Sequence, residues 1–235
     1  KQMYLPPAGV DFREWALAHR LIDNRPQTLE PFTPTTQLVL LYALLRSGTR
    51  ELRTAELVHE LDISAMSVSR AFKDLQDAGL VVREERGRER PARLAAEQPV
   101  VWEKAQPRLT DPVQARYSVP RRYLPGMLEA GLTALSHLSN LAAPVDRTVA
   151  LGAEAWRGVR DEVDAESLDS AFGEPSRMNV EVWTYAPIRL AYGSVVDPLS
   201  LYLSLRDDPD ERVQLALDQA LKEIPWIRRQ NQSEG

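Results

Sequence analysis

Apolar and polar positions alternate with helical period along much of this chain. In DFREWALAHRLIDNR (Asp11–Arg25), Trp15, Leu17 and Leu21 supply an apolar side behind Asp11, a plausible N-cap with Glu14 three residues on, so an amphipathic helix is predicted. Pro31 and Pro34 then break the chain. Thr35 or Thr36 is expected to cap a helix through Leu45 that is apolar nearly all round, the mark of a central core element, with Gly48 ending it. RELR can form a short strand. Thr54 is expected to cap a helix carrying Leu57, Val58 and Leu61, and Asp62-Ile63-Ser64 reads as a turn. A second helix turns Val68, Ala71, Phe72 and Leu75 inward and stops at Gly79. LVVREER and ERPARL flank Arg86-Gly87-Arg88, a β-hairpin tip.

The proline-rich stretch AEQPVVWEKAQPRLTDP shifts the composition, and VVWEK there reads as a strand or a linker. The expected division is therefore residues 1–98, a winged helix-turn-helix with an N-terminal helical extension, and residues 99–235, a mixed second domain. In the latter, Pro125–Leu141 reads as a helix, Val149–Leu151 and Val180–Tyr185 as strands, and Trp156–Asp169 as a polar segment with helical potential. Asp197–Leu205 is apolar at helical spacing. A last helix is expected from Asp208 as N-cap, with Pro209 at N1 and Glu211 at N3, to about Glu223. The predicted fold class is α+β.

The chain has 235 residues, enough for one large domain or two modest ones. It has no cysteine, which excludes disulfides, thiolate metal sites and cysteine nucleophiles, and points to the cytoplasm. No apolar run reaches the ~18 residues of a membrane span, and no charged-then-apolar leader pattern stands at the N-terminus, where the chain begins at Lys1. The net charge of −5 argues against indiscriminate nucleic-acid binding. Residues 1–100 hold roughly as many basic as acidic side chains, however, and the acidic excess lies in residues 101–235, so the front half can still bind DNA through one face.

The front half carries the chemistry. Leu57, Val58 and Leu61 meet Ile63, Val68 and Ala71 across the turn at helix-turn-helix spacing. The second helix then exposes Ser64, Ala65, Ser67, Ser69, Arg70 and Lys73. Small residues at its start allow close approach to base edges in a major groove, and serine hydroxyls with helix N-terminal amides suit phosphates. Positioning is expected from Thr54, Ser64, Ser67, Arg86 and Arg88, and base readout from Ala65, Ser69, Arg70 and Lys73. Arg90, with Arg83 and Arg93, adds positive charge to a wing that can lie along the backbone or in the minor groove. Glu84, Glu85 and Glu89 interleave with these arginines, so a wing serving protein contacts is the competing reading.

The elements AELVHELDIS, SVSR and LQDAGLVVR, within Thr36 to Leu94, resemble the winged helix-turn-helix of MarR-type bacterial regulators. Val58 stands where alanine is usual and Asp62 where glycine is usual; aspartate tolerates the left-handed conformation better than most residues. The resemblance implies a DNA-binding transcriptional regulator, working on double-stranded DNA as a homodimer or paired monomers over two half-sites.

Residues 101–235 show no nucleotide loop, HExxH, GxSxG or Walker pattern. His137, in LTALSHLSNL, reads as a polar position on a helix, and Trp183, Tyr185, Tyr192 and Trp226 as core. No enzyme, cofactor or metal is expected. GMLEAGLTALSHLSNL, VEVWTYAP and VVDPLSLYLSL resemble the C-terminal part of antitoxin-like regulators, bacterial proteins encoded beside nucleotidyltransferase-type toxins in the type IV abortive-infection group. That resemblance implies that the front domain binds an operator as a repressor of the protein's own operon, that the back half serves toxin antagonism or dimerisation, and that an antitoxin or adaptor is the alternative function.

Overall fold

The computed structural model describes residues 30–47, 51–83, 91–120, 127–167 and 177–227. The helix expected over Asp11–Arg25 and the hairpin tip with Arg86, Arg88 and Arg90 lie outside these residues.

Helix α1 spans Pro34–Tyr42, and its N-cap is Thr33, whose side chain accepts from the Thr36 backbone N–H at 3.2 Å. The cap precedes the expected Thr35 or Thr36 because Pro34, with its fixed φ and no N–H, already fits the first helical position. Thr36 to Leu44 are all buried, as the all-round apolar pattern predicts. The helix widens into a π turn at Ala43–Ser47. There the Leu44 carbonyl accepts from Gln98 Nε2 at 2.7 Å and Trp226 Nε1 at 3.1 Å.

Helix α2 is Thr54–Leu61 and α3 is Ala65–Asp77, which buries Val68, Ala71, Phe72 and Leu75. Gly79 stops α3 at φ 64°. Strands β1 (Val81–Arg83) and β2 (Ala92–Leu94) pair antiparallel, Val81 opposite Leu94. The short strand expected in RELR is a single bridge, Leu52 against Ala92, with backbone bonds of 2.6 and 2.9 Å.

Helix α4 occupies Gln98–Ala105, where a strand or linker is predicted. Pro99 is tolerated in the first turn, and Val101, Trp102 and Ala105 bury one helical face. A four-stranded sheet follows, in the order β3 (Val113–Pro120), β6 (Arg177–Trp183), β5 (Thr148–Gly152), β4 (Leu128–Glu129). Only β5 and β6 run parallel, and α6 (Ala153–Ser167) makes the crossover such a pair requires. Helix α5 is Gly131–Leu138, shorter than predicted, because Leu128 and Glu129 pair with Ala150 and Val149 of β5. The sheet and helices together bear out the α+β class.

Helices α7 (Pro198–Leu205) and α8 (Glu211–Lys222) follow, and the described chain ends in a helical turn at residues 225–227. The cap of α8 is Asp210, not Asp208; Asp208 Oδ1 instead accepts from the Asp210 N–H at 2.9 Å and shapes the approach.

One face of the sheet buries Val119, Val149, Leu151, Met178, Val180 and Val182 with Trp156 of α6. The other joins a core that runs without a break from Leu44 and Phe72 through Trp102 and Leu135 to Leu199 and Trp226. Residues 31–235 are one compact unit, so packing does not divide at residues 98 and 99. Trp183, Tyr185 and Trp226 are core as expected, but Tyr192 is exposed. Among the described residues no helix is long and apolar enough to cross a membrane.

A buried polar chain crosses this core. Gln37 of α1 accepts from the Thr110 N–H at 2.9 Å and donates to Tyr185 Oη at 3.5 Å, and Tyr185 meets Ser200 Oγ at 2.9 Å. Burial holds the Tyr185 phenol well above its ordinary range. Ser200 donates its backbone N–H to Asp197 Oδ1 at 2.8 Å, while Asp197 Oδ2 is buried with no hydrogen-bond partner. Burial pushes the Asp197 carboxyl up to about 6, against about 3.9 in an unfolded chain. The folded state therefore holds this proton more tightly. Its contribution to stability is largest below about pH 4 and falls by about 2–3 kcal/mol as pH rises through 6. Asp197→Asn keeps the cap, and urea titrations from pH 4 to 7 are expected to lose that slope.

Candidate nucleic-acid interface

The helix-turn-helix rests on Leu57, Leu61, Val68 and Ala71, all buried, with Val58 and Ile63 half-buried at its edge. Asp62 closes α2 at φ 54°, ψ 49°, the left-handed conformation that its place in the sequence implies. Ser64 is the N-cap of α3: its Oγ accepts from the Ser67 N–H at 3.1 Å and lies 2.9 Å from Ser67 Oγ. Both hydroxyls thus serve the cap while Ser64 stays exposed. Asp74 faces inward and accepts from Thr36 Oγ1 at 3.0 Å, which fixes α3 against α1.

With its apolar face held, α3 exposes Ser64, Ala65, Ser69, Arg70 and Lys73, and half-exposes Ser67. These residues recur at helical spacing and form one outward strip. Arg70 makes no hydrogen bond or ion pair among the described residues and is available to an outside acceptor. Lys73 is not so free: its Nζ lies 2.7 Å from Asp77 Oδ2, one turn on, and the hydrogen bond to that carboxylate raises its pKa.

Sequence reasoning passed over Met66. It is 64% exposed on the same strip, four residues before Arg70. The available signal was a large apolar side chain on the polar side of an otherwise clean helical pattern.

Thr54 is the first helical residue of α2 and half-buried. The N-cap is Arg53, extended at φ −103°, ψ 139°, with no side-chain cap bond. Thr54 therefore does not cap α2, since helical backbone at Thr54 hands the cap position to the residue before it. In the wing, the Arg83 guanidinium lies 5.5 Å from the Phe72 ring centroid, and Arg93 is exposed on β2. Arg86, Arg88 and Arg90 lie outside the described residues.

The back half offers an open cleft of about 730 Å³ over the sheet, with Asp111, Arg116, Asn179, Glu181 and Ser204 on its walls. Burial pushes the carboxyls of Asp111 and Glu181 up. Arg116 sits between them, 3.9 Å from Asp111 and 3.5 Å from Glu181, and Trp183 Nε1 donates to Glu181 at 3.2 Å. These charges answer one another, and among the described residues no nucleophile is paired with a base there. His137 is exposed, with Nε2 2.7 Å from Glu129 Oε2, and Glu129 also pairs with Arg147. Among the described residues no cluster of His, Cys, Asp and Glu could hold a metal.

Residues 31–90 match the model of the MarR family. The match takes in α1, α2, α3 and β1 and stops short of β2. No curated protein matches the chain.

Proposed function

Residues 31–90 match the MarR family model, and on that premise we propose that the protein is a winged-helix regulator that represses its own operon by binding operator DNA. Helix α3 enters the major groove. Ala65, Ser69, Arg70 and Lys73 face the bases, and Thr54, Ser64 and Ser67 hold flanking phosphates. The wing arginines Arg86, Arg88 and Arg90 follow the backbone or the minor groove. Met66 joins the readout as an apolar contact for a thymine methyl. The observation that carries this reading is the strip of small residues leading to an unpaired arginine at the exposed start of α3. Two half-sites call for two copies of the chain, and the setting is the cytoplasm.

The test is a mobility-shift titration on the DNA upstream of the protein's own gene, at several salt concentrations. Saturable binding that outcompetes unrelated duplex, with a steep negative salt slope, is expected. Equal affinity for unrelated duplex removes the operator assignment.

Asp77 bears on the same face. Its carboxylate occupies Lys73 and adds negative charge beside the strip. Asp77→Asn is expected to tighten DNA binding about two- to threefold at low salt, the gain fading as salt rises, because exposed pairs are weak and screened. Unchanged affinity would place Lys73 away from the DNA.

The acidic excess of residues 101–235 supports a second role, capture of a basic partner such as a cognate toxin. Co-purification with the product of the adjacent gene tests it.

A further inference from the structure

Asp62 is the one non-glycine residue with positive φ among the described residues, and it stands two positions before the N-cap of α3. Its dihedrals set the angle at which α3 leaves α2. Aspartate visits this conformation more readily than most residues but less readily than glycine. Something must therefore favour it here.

The Asp62 carboxylate accepts a hydrogen bond from Arg189 Nη2, across 127 residues of sequence. Arg189 ends the short 3₁₀ turn Pro187–Arg189 in the segment joining β6 to α7. That turn is well anchored. Leu190 beside it is fully buried, and the Arg189 N–H donates to the Ala186 carbonyl at 3.2 Å. From α1's π turn, Arg46 Nη2 donates to the Ala191 carbonyl at 2.8 Å, and its guanidinium lies 5.1 Å from the Tyr192 ring centroid. A rigid turn thus presents the guanidinium to a single carboxylate of the helix-turn-helix. The pair joins a side chain 32% exposed to one 74% exposed, so it can be removed without opening the core.

We propose that Arg189 is a positioning residue for the DNA-reading helix: it holds Asp62 in the left-handed conformation that aims α3. The inference deepens the DNA-binding reading and rests on it. Arg189 acts through Asp62 and does not itself touch DNA. Residues far outside the winged helix thereby set the geometry of its reading surface.

A double-mutant cycle on the full-length chain tests this. Arg189→Ala is expected to weaken operator binding about three- to tenfold with an unchanged salt slope, since no phosphate contact is lost. Arg189→Lys, which keeps the cation but not the planar fork, is expected to fall between. In an Asp62→Gly background, where glycine adopts the turn unaided, Arg189→Ala is expected to change affinity by less than about 1.5-fold. An equal loss in both backgrounds, or a salt slope reduced by about one, overturns the proposal and makes Arg189 a direct contact. The wild type, Arg189→Ala, Asp62→Gly and the double variant are also unfolded in urea without DNA. There the midpoint loss from Arg189→Ala is expected to shrink in the glycine background, and equal losses overturn the contact. If the wild-type chain fails to bind its upstream DNA at low salt, the DNA reading fails, and the unfolding cycle alone judges the turn.

Discussion

Arg70→Ala is expected to weaken operator binding about 5- to 150-fold, the range of roughly 1–3 kcal/mol for one good arginine–guanine contact. The expectation follows from the state of the side chain before DNA arrives. Arg70 is exposed on α3 and pairs with nothing among the described residues, so no internal bond must break when it meets a base. Ser69 and Ala65 beside it are small enough to let the helix sink into the groove. The loss should depend on sequence: specific binding falls while binding to unrelated duplex changes little, so the ratio between them narrows. Arg70→Lys should not restore it, since an ammonium cannot make the bidentate contact to a guanine edge. Lys73→Ala gives the contrast. Lys73 must leave Asp77 before it can meet a base, so its removal should narrow the same ratio by less than Arg70→Ala does. A uniform, salt-dependent loss from Arg70→Ala would instead make Arg70 a backbone contact, and no loss would leave α3 outside the groove.

How legible these features are in the sequence depends on how local their causes are. Val68, Ala71, Phe72 and Leu75 sit at i, i+3, i+4 and i+7, so the buried face of α3 is written in its own period, and its opposite face follows. Asp62 is legible because the side chain and the conformation belong to the same residue. α4 is not, since eight residues with Pro99 in the first turn offer only Val101, Trp102 and Ala105 to set against the surrounding prolines. The boundaries at α5 and α8 shift for reasons outside the local pattern: strand pairing by Leu128 and Glu129 in one, a turn closed by Asp208 in the other. Long-range partners leave least trace. Nothing near Asp62 announces Arg189, and nothing near residue 98 announces that Leu44 and Trp226 share a hydrogen bond across 182 residues. A proline-rich composition marks where chain order changes, not where packing ends.

That shared core makes Trp226→Ala the substitution with the largest expected effect on stability. Trp226 is 6% exposed, and its Nε1 donates to Leu44 at the end of α1. Truncation removes a large buried apolar group from the core and widens the cavity that Trp226 lines with Leu45 and Ile224, a change that costs about 3–5 kcal/mol. The hydrogen bond matters less, because the Leu44 carbonyl keeps Gln98 Nε2. Against a typical domain stability of about 5–15 kcal/mol, the loss is large enough to lower the urea midpoint clearly. Because the core is continuous between the winged helix and the sheet, helix content by circular dichroism and tryptophan fluorescence should fall together, in one transition at the lower midpoint. Trp226→Phe, which keeps most of the packing and removes only the N–H, should recover most of the midpoint. DNA affinity measured well below the transition should change little, since Trp226 lies at the far end of α1 from the Thr36–Asp74 bond that fixes α3. Two separated transitions, with Trp226→Ala moving only one, would instead show that the winged helix folds on its own and that residues 98 and 99 mark a true division.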